Sequence, residues 1–106
     1  MSPMSRSLKH LRERGYKVEI VEYWNHFAKR RKDLFNFADI LGVKEGSTIA
    51  AQTTTTGNLS ARVKKIQENE FYPICKEAGW IIEAHGWALR GKQGERKQWT
   101  LKTVIL

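Results

Sequence analysis

The sequence predicts a layered α/β (α+β) domain: a helix, three strands, a helical region, then two further strands. Three observations predict it. Tyr16–Trp24 has the two-residue period of a strand, with Val18, Ile20, Glu22 and Trp24 on one face. Phe37–Thr54, FADILGVKEGSTIAAQTT, reads as two short apolar strands joined by the turn Lys44-Glu45-Gly46-Ser47. Beyond it the period becomes helical, with Leu59, Val63 and Ile66 on one side.

Taken in order, residues 3–14 form the first helix. Ser2 is placed to cap it, Pro3 suits its first position, and Gly15 supplies the stop. Met4, Leu8 and Leu11 line one side, and mostly basic residues cover the rest. After the Tyr16–Trp24 strand, Asn25–Asn36 shows no alternation. It reads as a basic loop with room for one helical turn, reaching over the mouth of any site on the next strands. The strands Ala38–Val43 and Thr48–Thr54 follow. Next come a threonine-rich loop, an N-cap at Asn58 and a helix over Leu59–Asn69. A second short helical piece, with Pro73 in its first turn, ends at Gly79. Trp80–Trp87 is the fourth strand, Leu89–Lys97 a basic hairpin loop, and Gln98–Leu106 the fifth strand. The first three strands can form an antiparallel meander, and the helix after them permits a crossover. By strand parity Trp24, Trp80, Trp87 and Trp99 belong mostly to the core.

A chain of 106 residues makes one domain, 1–106, with a single modest core. At 41% apolar and 28% charged residues, it is globular rather than disordered in composition. No apolar run approaches the ~20 residues that span a bilayer, so no membrane partner is expected. MSPMSRSLKHLRERG lacks the apolar centre of a signal peptide, which points to the cytosol. Cys75 is the sole cysteine, which excludes an internal disulfide and a cysteine-based zinc site.

The formal net charge of +8 favours a polyanionic partner. The charge is clustered. Lys29, Arg30, Arg31 and Lys32 run unbroken, Arg62, Lys64 and Lys65 share one segment, and Arg90, Lys92, Arg96 and Lys97 fall within eight residues. Such clusters suit contacts to phosphates.

Candidate site residues come from the apolar hairpin. Asp39 lies in its first strand, and Gln52 and Thr54 share a face of the second. Burying a carboxylate and an amide unpaired costs free energy, so they must find partners or meet water. Glu22 reads either as a strand-end acid in solvent or as a carboxylate joining Asp39 across the sheet. Asp33 reads first as a cap or turn residue, and also fits an acid supporting Asp39. His85, with no other histidine at ligand spacing, reads as a half-buried structural residue.

This order of elements, with an acid on the second strand and a polar pair two apart on the third, resembles the PD-(D/E)XK nuclease family. The small Holliday-junction-resolvase-like and phage-encoded members are the most similar. The resemblance covers Arg6 to Trp87. It is carried by Leu11-Arg12-Glu13-Arg14-Gly15-Tyr16, by Phe37-Ala38-Asp39-Ile40-Leu41, by Gln52-Thr53-Thr54 and by Ser60–Ile66. It implies a restriction-endonuclease-like core, α-β-β-β-α-β with an added C-terminal strand. It further implies a Mg2+ (or Mn2+) cofactor, DNA as substrate, and a homodimer. Asp39 maps onto the family's metal-binding aspartate, Gln52 onto its second acid and Thr54 onto its lysine. The last two depart from the pattern. Glu22 could restore charge at the metal, Lys65 or Lys64 could supply the cation, and Arg62 could hold the scissile phosphate. The competing class is a nucleic-acid-binding module of the same fold that cuts nothing.

Overall fold

The computed structural model describes residues 1–106. The first helix, α1 (Pro3–Glu13), starts as its sequence requires, with Ser2 Oγ accepting the Ser5 N–H at 3.1 Å. It ends at Gly15, whose φ of +93° is a left-handed stop. The strands β1 (Lys17–Ile20), β2 (Tyr23–Asn25), β3 (Arg30–Lys32), β4 (Ile40–Lys44) and β5 (Ser47–Thr55) follow. A single 3-10 turn leads into α2 (Leu59–Gln67), then α3 (Phe71–Glu77), β6 (Ile81–Arg90) and β7 (Gln98–Ile105).

The five longer-range strands form one mixed sheet in the order β1-β4-β5-β6-β7, so the expected mixed α/β arrangement is what the chain adopts. Neighbours are antiparallel except β5 and β6, which run parallel because α2 and α3 carry the chain across between them. Helix α1 covers one face, where Leu11, Tyr16, Ile40, Ile49 and Ala51 are buried together. Helices α2 and α3 cover the other, over Phe37, Ala50, Leu59, Ile66, Cys75, Ile82 and Ala84. Burial of each large aliphatic residue here contributes about 1.5–3 kcal/mol. Gly86 lets α2 seat closely. A Cβ at this position would lie 3.0 Å from Leu59 Cδ2 and 3.1 Å from the Thr56 backbone.

Four expectations are corrected. The Tyr16–Trp24 strand stops at Ile20, the last residue paired with β4. Val21 N–H then donates to the Asp39 carbonyl at 2.8 Å and the chain leaves the sheet. Asn25–Asn36 is not simply a loop, because Tyr23–Asn25 and Arg30–Lys32 pair as a separate hairpin. Asn25 Oδ1 organises its tip by accepting the N–H groups of Phe27 and Ala28 at 3.0 and 2.9 Å. Asn58 does not cap α2 through its side chain. Its amide donates to Thr55 Oγ1 at 3.2 Å instead. Trp24 and Trp99 are 52% and 42% exposed rather than core. Trp24 sits on the separate hairpin, and Trp99 on the edge strand β7, where the Arg6 guanidinium of α1 covers its ring only in part. No helix is long and apolar enough to cross a membrane.

Candidate metal and nucleic-acid site

Asp39 is fixed by the backbone on both sides. Its N–H donates to the Ala51 carbonyl at 2.9 Å, and its carbonyl accepts from Val21. That places its side chain across from Gln52, on the face covered by α2. Asp39 Oδ2 accepts from Gln52 Nε2 at 2.6 Å and from the Thr53 N–H at 2.9 Å.

A tight turn brings a second acid to it. Leu34 and Ala38 form an antiparallel bridge, so the next pair outward, Asp33 and Asp39, face one another. The turn needs left-handed backbone at Phe35 (φ 54°) and Asn36 (φ 65°). A non-glycine residue in that region costs about 1–3 kcal/mol and survives where the surroundings over-determine it. Here Phe35 stacks on Phe71 at 4.6 Å, and Asn69 Nδ2 donates to its carbonyl at 2.9 Å. Glu22 arrives from the end of β1. Oxygen atoms of Glu22, Asp33 and Asp39 all lie within 4.8 Å of one another.

Around these acids Gln52, Thr53, Arg31, Arg62 and Lys65 complete the lining of a polar cleft with no hydrophobic residue in it. Arg31 donates to Glu22 Oε1 at 3.1 Å. Arg31, Asp33 and Lys65 also line an adjoining depression with Arg30, Lys32 and Asn36, so one rim of the cleft is continuously basic. Burial, together with the charges of Asp33 and Glu22 and a hydrogen bond shared with Asp33, pushes the Asp39 carboxyl up to about 8, against the opposing pull of the Thr53 N–H.

Of the residues singled out in the sequence, Asp39, Gln52, Glu22, Lys65, Arg62 and Arg31 meet in this cleft. Arg30 and Lys32 flank it. Thr54 is buried on the strand beyond Gln52 and does not line it, and neither does Lys64. Arg90, Lys92, Arg96 and Lys97 sit on or beside the β6–β7 connection, off the end of the sheet toward which β5 runs. Asp33 is an acid of the cluster, which its first reading as a cap undervalued. Its signal was the turn it shares with Asp39, visible only once Leu34 and Ala38 pair.

A second polar cluster lies behind the first, under α1. Ser7 Oγ donates to Thr53 Oγ1 at 3.0 Å, accepts from Trp87 Nε1 at 2.8 Å and bonds His85 Nδ1 at 2.9 Å. His85 Nε2 reaches Glu83 Oε1 at 2.9 Å, and Arg14 grips both Glu83 oxygens at 2.8 and 2.9 Å. Ser7 and His85 are fully buried. Burial works against ionising Glu83, but the bonds from Arg14 and His85 outweigh it and hold the carboxyl at about 2. Sequence reasoning missed this network apart from a structural role for His85, because its members are up to 80 residues apart.

Comparison with protein-family models, curated proteins and solved structures found no match.

Proposed function

We propose that the protein is a metal-dependent DNA endonuclease of the PD-(D/E)XK type, built on a restriction-endonuclease-like core and selective for branched or junction DNA. One observation carries the reading. Glu22, Asp33 and Asp39, from three separate segments, converge beside Gln52 in a cleft rimmed by Arg31, Arg62 and Lys65. A β1-β4-β5 meander followed by a helical crossover to a parallel β6 is the strand arrangement that reading requires.

The donor chemistry suits Mg2+ or Mn2+, since carboxylates and the Gln52 side-chain oxygen are hard ligands. Three close acids with one ion-paired guanidinium leave carboxylate charge for a cation to neutralise. When bound, such an ion polarises a phosphoryl oxygen and lowers the pKa of a water. Lys65 and Arg62 then hold the phosphate from α2, with Lys65 taking the role for which Thr54 has no charge. The backbone of the DNA follows Lys29 to Lys32 on one side, and Lys64 and Arg90 to Lys97 add positive charge beyond the cleft. The enzyme would act in the cytosol of a bacterial or phage-infected cell.

A second reading, a nucleic-acid-binding module without cleavage, draws on Gln52. Its Nε2 already occupies Asp39 Oδ2, and an amide brings no charge where an acid is usual in the family. Labelled linear, nicked and four-way-junction DNA, incubated with Mg2+ or Mn2+ and with chelator, separates the two. Metal-dependent cutting that Asp39→Ala abolishes is the expected result. Binding without cutting by either protein would leave only the second reading.

A homodimer has a candidate seam in β7. The Leu106 N–H bonds inward to the Ile82 carbonyl at 2.9 Å, so alternation turns the backbone groups of Trp99, Leu101, Thr103 and Ile105 to the free edge. This eight-residue strand carries one charge, Lys102, and no proline, so it lacks the usual protection of an edge. Light scattering should give a dimer for the native chain. Thr103→Pro, which removes only an outward N–H, should give a monomer with the fold intact.

A further inference from the structure

We propose that the β2–β3 hairpin is a stacking wedge for unpaired DNA bases, and that it makes the protein prefer DNA with unstacked bases over fully paired duplex. This deepens the nuclease reading and rests on it. The hairpin pairs only with itself and takes no part in the five-stranded sheet. A ribbon of such short strands has little stability of its own, so its aromatic residues would be expected to dock on the core. They do not. Phe27 at the tip is 101% exposed, Tyr23 56% and Trp24 52%. Three large aromatic residues left this exposed on one small hairpin mark it as a contact element.

The other arm states the chemistry of the partner. Lys32 lies across from Tyr23, and Arg31 across from Trp24. Aromatic faces alternating with cations suit a polymer that offers both π-faces and phosphates, which is nucleic acid with its bases accessible. Within paired duplex those faces are stacked and closed, so only unpaired bases can use the wedge. The same cations disfavour a second copy of this basic chain.

The tip is also held in shape. Asn25 Oδ1 ties the N–H groups of Phe27 and Ala28, and Lys29 completes the turn at φ 51°. A preordered tip loses less freedom when a base stacks on it. Finally, the wedge and the acidic cleft share a residue. Arg31, the neighbour of Trp24, donates to Glu22 and lines the cleft.

The test is fluorescence anisotropy in chelator, where no cleavage intrudes, with a labelled paired duplex and the same duplex carrying a short unpaired bulge. The native protein should bind the bulged DNA roughly 5- to 100-fold more tightly. Trp24→Ala and Phe27→Ala should each remove most of that preference while duplex affinity stays within about two-fold. Both side chains are exposed, so melting temperatures should stay near the native value. Trp99→Ala, on the distant edge strand and under the Arg6 guanidinium at 4.3 Å, should leave the preference intact. Equal binding of the two DNAs would overturn the wedge and leave the nuclease reading standing. So would variants that weaken both DNAs equally, or a dimer that Phe27→Ala dissociates with no change in DNA preference. Failure to bind any DNA would overturn both.

Discussion

Two polar clusters lie on opposite sides of β5, and adjacent residues of that strand feed them. Gln52 faces the cleft under α2, where Glu22, Asp33 and Asp39 crowd together and Arg31 is the one cation in an ion pair with them. Thr53 faces α1, where Ser7, His85, Glu83 and Arg14 form a closed chain of bonds. Both clusters contain a buried carboxyl, yet one is pushed up to about 8 and the other held at about 2. Burial raises both carboxyls. At Glu83 a bidentate guanidinium and a histidine outweigh it, whereas at Asp39 two more acids add to it. A network that serves folding matches its charges internally. A site leaves an imbalance for a ligand to correct.

The largest effect should come from emptying the unbalanced side. Asp39→Ala should lower metal-dependent cleavage by roughly 10^3-fold or more, the scale of several kcal/mol of transition-state stabilisation. Its melting temperature should change little, because relief from Glu22 and Asp33 offsets leaving the Gln52 Nε2 and Thr53 N–H donors without their acceptor. Loss of activity together with a large fall in stability would make Asp39 structural and erase the contrast.

Glu83→Ala should do the opposite. It strands His85 and Arg14, at a cost of about 2–4 kcal/mol in denaturant unfolding, Arg14 being partly exposed. A change below about 1 kcal/mol would show that the closed network does not support the fold.

The two carboxyls should also give stability opposite slopes with pH. Glu83 falls from an ordinary 4.5 to about 2, so its contribution is complete above 4.5 and is lost as the pH drops through 2. Asp39 rises from 3.8 to about 8, so the fold holds a proton that the unfolded chain releases. Stability therefore declines from pH 3.8 to 8 and levels off above. Melting curves across this range with and without Mg2+ should show the alkaline decline flattened by the ion and by Asp39→Asn, and the acid limb unchanged. An acid limb that shifts with Mg2+ would contradict the assignment.

The smallest effect tests the link between the clusters. Ser7→Ala removes the hydroxyl that serves Thr53, His85 and Trp87, and should cost about 1–3 kcal/mol of stability. Thr53 N–H should keep its place at Asp39 through the β5 ladder, so cleavage should change only a few-fold. A loss comparable to Asp39→Ala would merge the two clusters into one functional unit.

Much of the fold was legible because it rests on local periodicity. Leu8 and Leu11, the Ile40–Val43 and Ile49–Ala51 runs, and Leu59, Val63 and Ile66 each announce a face that must be buried. Asp39 and Gln52 were legible for a related reason, as polar residues set in apolar strands. The β2–β3 hairpin was not. Its strands are three residues long, too short for a period, and its stabilising Asx turn depends on one side chain choosing a backbone partner. Strand parity accordingly misplaced Trp24 in the core.

By itself, the sequence determined the helices and the five strands of the main sheet, the basic character of the surface and the acid beside the second apolar strand. All three follow from residue type and near-neighbour spacing. Tertiary structure alone decided that Asp33 faces Asp39, that Glu22 joins them, and that Lys65 rather than Lys64 or Thr54 reaches the cleft. It also decided that Ser7, Glu83 and Arg14 close around His85. Each of those outcomes depends on a turn conformation, a helix rotation or a strand register fixed by packing across the whole domain. Local propensity does not encode such choices, because they are worth free energy only when the distant partner is already in place.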